Sequence, residues 1–136
     1  MLRSKPEKGD VIFSNIGTLG STVLVDQDFE FSIKNVALFK PLTPELSSFL
    51  YLYLSRLETL EYMIDKSSGT SQKFFSLEFL RRMKIIIPPQ SVLKTFASIV
   101  ISALSERSKL HILNLELCLI RDLLIPQLVT GKRELK

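Results

Sequence analysis

The residues best suited to chemistry sit together in Lys66-Ser67-Ser68-Gly69-Thr70-Ser71-Gln72-Lys73. Hydroxyls, backbone N–H groups around a glycine and a lysine at each end are what phosphate oxygens accept from. The Gln72 amide matches the two-point edge that adenine presents in the major groove. The same residue types also suit a plain loop that ends a helix. The charge is uneven in the same place. Residues 66–90 carry Lys66, Lys73, Arg81, Arg82 and Lys84 against Glu78 alone, a net charge of +4. Residues 41–65 carry Arg56 against Glu45, Glu58, Glu61 and Asp65, and residues 1–40 balance. So concentrated a basic stretch is either a phosphate contact or a solvated charged face.

Other chemistry is sparse. The 136 residues include one His, one Cys and no Trp, so neither a disulfide framework nor a zinc site of several Cys and His can be built. His111 and Cys118 fall within one long helical pattern, His111 reading as an interface or surface residue and Cys118 as a buried small hydrophobe. Gly17-Thr18-Leu19-Gly20 lacks the spacing and following helix of a phosphate loop, and there is no nucleophile elbow or dinucleotide fingerprint. The acidic residues form no close pair for acid–base or metal work. The expectation is a protein that is not an enzyme and uses no metal or cofactor. The start lacks an apolar signal core and no apolar run is long enough to span a membrane, which predicts a cytoplasmic location.

The elements that position these residues follow from periodicity. Val11-Ile12-Phe13, Thr22-Val23-Leu24-Val25 and Val36-Ala37-Leu38-Phe39 read as strands separated by turn formers at Ser14–Gly20 and a polar turn at Asp26–Asp28. Thr43 caps a helix with Pro44 at its first position. Its stripe of Leu46, Phe49, Leu50, Tyr53, Leu57, Leu60 and Ile64 predicts one helix to Asp65. Ser76–Met83 predicts a short helix capped by Ser76, and Lys84–Ile87 a further strand stopped by Pro88-Pro89.

Beyond Pro89 two sets of positions repeat every seven residues. Phe96, Ala103, Leu110, Leu117 and Leu124 form one, and Val92, Ile99, Glu106, Leu113 and Ile120 the other. Only Glu106 is not apolar. A continuous helix over this span has roughly 33 residues and a length of ~50 Å, too long to bury its seam on the preceding domain. It must meet a second helix. The alternative is two helices broken near Glu106-Arg107-Ser108. The fold class expected is α+β: a small partial domain over 1–89, a long coiled-coil-forming helix over 90–125 and a tail over 126–136.

Several of these residues, in this order, resemble a known family. They are Gly9-Asp10-Val11-Ile12-Phe13-Ser14, the loop Ile16–Gly20, Gly69-Thr70-Ser71-Gln72-Lys73-Phe74, Ser76-Leu77 and Ile85-Ile86-Ile87-Pro88-Pro89. The long helix ending in Arg121-Asp122-Leu123-Leu124-Ile125-Pro126-Gln127-Leu128 with Gly131 completes the pattern. The chain is similar from about Gly9 onward to the specificity subunit of type I restriction-modification systems. At Asn15 it departs from the Arg that the family often carries. The resemblance implies the later half of a target-recognition domain with its spacer helix, in a C-terminal fragment or a short half-subunit.

The implied role is non-catalytic. Such subunits recognise a bipartite double-stranded DNA site and recruit methyltransferase and restriction subunits, and their spacer helices pack antiparallel. The DNA-facing residues implied are Asn15, Thr18, Lys66, Ser68, Thr70, Ser71, Gln72 and Lys73. The helix interface expected is Val92, Phe96, Ile99, Ala103, Leu110, Leu113, Leu117, Ile120 and Leu124, used by a homodimer or another like helix. The competing reading is a helix-mediated interaction module that pairs with an intact specificity subunit without binding DNA.

Overall fold

The computed structural model describes residues 5–26, 36–67 and 73–131. Three strands form an antiparallel sheet in the order β2-β1-β3. They are β1 (Val11–Ser14), β2 (Thr22–Leu24) and β3 (Val36–Phe39). Val11 pairs with Leu24 on one side and Phe39 on the other, which fixes the register. Alternation along β1 puts Val11 and Phe13 in the core, with Ile12 and Ser14 less buried. Phe13 is the centre of an aromatic group, its ring 5.8 Å from Phe75 and 6.3 Å from Phe39. Leu54, Met63, Pro6 and Ser48 are fully buried as well.

Helix α1 (Pro44–Ser55) packs on this sheet. Thr43 Oγ1 accepts from the Leu46 N–H at 3.3 Å, the expected cap. The single helix expected to Asp65 is instead two. Arg56 adopts extended backbone (φ −73°, ψ 138°), and α2 (Leu57–Asp65) starts afresh. The Ser55 hydroxyl donates to the Tyr51 carbonyl at 2.7 Å, a back-bond that weakens a helix at its end. The break changes which face is covered. Leu57, in the expected stripe, is 66% exposed, while Thr59 and Met63 turn inward.

Helix α3 (Leu77–Arg82) follows, with Ser76 Oγ accepting from the Phe79 N–H at 3.0 Å. The strand expected at Lys84–Ile87 is absent: these residues join no ladder among the described residues, and Ile86 is 90% exposed. Both sides of β1 are already taken by β2 and β3, and Pro88-Pro89 removes two donors. Ile85 is half-buried and Ile87 is largely exposed. With Phe39, Pro41, Phe49 and Leu50 they line an apolar cavity of about 240 Å³.

Helix α4 is one uninterrupted element, Gln90–Val129, with no break at Glu106–Ser108. It also runs through Pro126, where the tail was expected to start. A proline removes one helical N–H, and only four helical residues start at it here. Thr130 and Gly131 close the end: the Gly131 N–H donates to the Leu128 carbonyl at 3.1 Å with φ +65°. The chain forms two compact units, 1–98 and 99–136. The first takes in the opening turns of α4, where Leu93 and Ala97 are buried and Phe96 meets Phe49 edge-on at 6.2 Å. In the second, no described side chain of α4 is buried. No helix among the described residues is long and apolar enough to cross a membrane.

Candidate nucleic-acid interface

The loop between β1 and β2 is held at three points. The Gly20 N–H donates to the Ser14 carbonyl at 3.0 Å, closing the turn. Gly20 itself has φ +81°, and a Cβ there would meet Leu60 Cδ2 of α2 at 2.8 Å. The left-handed backbone favours glycine, and any larger residue would also make the Leu60 side chain shift. On the other side, Ile16 bridges Phe74 in antiparallel fashion. The Phe75 N–H donates to the Asn15 carbonyl at 2.9 Å, and Asn15 Nδ2 donates to the Phe75 carbonyl at 3.0 Å.

Asn15 therefore does not face outward as expected of a DNA contact. It is buried, and its amide nitrogen is committed to Phe75. Its Oδ1 is buried with no hydrogen-bond partner. No local signal in the sequence announces a bond across sixty residues. Thr18, at the tip of the loop, is exposed. Through the Ile16–Phe74 bridge, this loop lies beside the segment that begins at Lys73. Lys73 is exposed, and so is Phe74 at 38%. Phe74 was missed from sequence, although an aromatic next to a lysine is a signal that could have found it.

Lys66 caps the C-terminal end of α2 and is exposed, and the Ser67 hydroxyl donates to the Ile64 carbonyl at 2.7 Å. Ser68, Thr70, Ser71 and Gln72 lie outside the described residues. The rest of the basic stretch is also on the surface: Arg81, Arg82 and Lys84 are exposed, with Arg82 paired to Glu78 at 2.9 Å. Lys66, Lys73 and the two arginines thus keep their charge in water, where a phosphate can reach them. No group of three or more metal-ligating side chains occurs among the described residues.

The expected helix interface is an uncovered seam among the described residues. Val92, Ile99, Ala103, Leu110, Leu113, Leu117 and Ile120 are exposed, Leu110 and Leu117 by about three fifths (61% and 62%). Phe96 and Leu124 are half-buried. Glu106 pairs along the helix with Lys109 at 2.7 Å. A second apolar face was missed. Ile101, Ile112, Leu115 and Leu119 are also exposed, on the side of the helix away from the first seam. Their steps of eleven, three and four residues, all close to whole helical turns, were available in the sequence.

Comparison with known proteins adds one finding. Residues 3–112 match the family model described as the type I restriction modification DNA specificity domain. No curated protein matches the chain.

Proposed function

Because the chain belongs to the type I restriction-modification DNA specificity domain family, we propose that it is a non-catalytic recognition and assembly subunit acting in the cytoplasm. It contacts one part of a bipartite double-stranded DNA site and recruits methyltransferase and restriction subunits. The observation that carries this reading is the join at Asn15, Ile16, Phe74 and Phe75. It draws the Thr18 loop and the Lys73 arm, two segments far apart in sequence, to one end of the sheet. An exposed hydroxyl, a lysine and an aromatic there suit a nucleic-acid backbone and a base face. Residues 1–89 supply recognition and α4 supplies assembly. Its first seam pairs with the same helix of a second copy, and its second apolar face is left for a methyltransferase subunit.

The test is binding to double-stranded DNA as salt is varied. Lys73→Ala is expected to weaken binding and to flatten the salt dependence by about one unit, the signature of one lost phosphate contact. An unchanged slope removes Lys73 from the interface. Binding no tighter than that of an unrelated basic protein, with helix pairing intact, replaces this reading with the interaction module.

A further inference from the structure

We infer that two copies of α4 pair antiparallel in a single register, with Leu110 packed against the partner's Leu113. This rests on the helix pairing proposed above and specifies it. The first seam beyond the compact unit runs Ile99, Ala103, Glu106, Leu110, Leu113, Leu117, Ile120 and Leu124, with steps alternating between four and three. Turned end for end against itself, such a seam fits only in registers one heptad apart. In the inferred one, Ile99 meets the partner's Leu124, Ala103 the partner's Ile120 and Glu106 the partner's Leu117. The seam from Ile99 to Leu124 is then overlapped along its whole length.

The flanking charges choose among the registers. In this one, Lys109 falls beside the partner's Glu116, and two-fold symmetry repeats the contact. Arg107 falls beside the partner's Asn114. A slip of one heptad one way brings Lys109 to the partner's Lys109 and Arg107 to the partner's Arg107. A slip the other way brings Glu116 to the partner's Glu116 and Arg107 to the partner's Arg121. Like charges across a helix pair repel, so both neighbours are penalised and the central register is not. A parallel pair is penalised within the seam itself, since it stacks Glu106 on the partner's Glu106. In the antiparallel register Glu106 has apolar facing residues but keeps its own Lys109 at 2.7 Å. That lysine is then bracketed by two carboxylates, Glu106 and the partner's Glu116.

The experiment uses the full chain and two readouts. The first is the dimer dissociation constant from sedimentation. Lys109→Glu alone and Glu116→Lys alone should each weaken the dimer about tenfold, or ~1.4 kcal/mol. The double variant Lys109→Glu with Glu116→Lys should restore it. The second readout is the distance between spin labels placed at Ser105 in a Cys118→Ser background. The inferred register separates the two labels by ~20 Å along the axis, against ~9 Å or ~30 Å for the slipped ones. A dimer that ignores the single charge changes, or gives either slipped distance, overturns the register while leaving the pairing in place. A wild-type chain that sediments as a monomer at high micromolar concentration overturns the pairing, and the register with it.

Discussion

Asn15 and Lys73 hold different places in the candidate interface, one inside the protein and one on its surface. Asn15 joins the ends of two segments inside the protein. Replacing it with Ala strands the buried Phe75 carbonyl, at a cost of about 1–3 kcal/mol. The urea midpoint should fall with the slope unchanged, whereas Lys73→Ala, on the surface, should leave the midpoint where it was. Lys40 gives a pH dependence of its own. Glu7 at 2.8 Å and then Asp10 at 3.1 Å hold its ammonium above the ordinary lysine value of 10.5. A pKa raised on folding stabilises fully below the unfolded value and is lost as pH rises through the folded one. Thermal melts above about pH 10.5 should therefore close the gap between wild type and Lys40→Met. Residue type alone singled out Lys73, which lies on the surface. It misplaced Asn15 because an outward amide and an inward one look the same until the partner segment is known.

At the scale of the element, local signals were read correctly and tertiary ones were not. The caps at Thr43 and Ser76 are set by the residue and its next three neighbours, so they were visible in advance. The break at Arg56 was not, because an apolar stripe continues across it while the core draws Thr59 and Met63 inward. Lys84–Ile87 has strand composition, yet with β2 and β3 flanking β1 it joins no ladder among the described residues. The continuity of α4 was legible from a span free of Gly and Pro, although its end beyond Pro126 was not. The seam carries a direct prediction. Leu110→Glu with Leu117→Glu would bury unpaired carboxylates at about 3 kcal/mol or more each, weakening the pair a hundredfold or more. Sedimentation should show monomers while circular dichroism stays helical.

The molecule as a whole joins a compact unit of sheet and helices to a helix whose apolar surface finds no cover among the described residues of its own unit. So much exposed apolar area marks an interaction surface. The chain should therefore co-purify with a methyltransferase subunit of its own system, and Leu115→Glu with Leu119→Glu on the second face should abolish that while sparing the pairing. Retention of the complex by that variant would move the docking surface elsewhere. The join between Asn15 and Phe75 has a consequence for how such a unit can change its specificity. The stretch of residues 17–19, with Thr18 at its tip, leaves from Ile16 and returns at Gly20. Each end is fastened by its own contacts, Leu60 on Gly20 and Ile16 on Phe74. Loop closure grows only logarithmically with length, about 0.6 kcal/mol for each doubling. The stretch can therefore be exchanged, or lengthened several-fold, for little loss of stability. The fold offers a socket in which the loop between the two fastenings is replaceable and the frame around it is not.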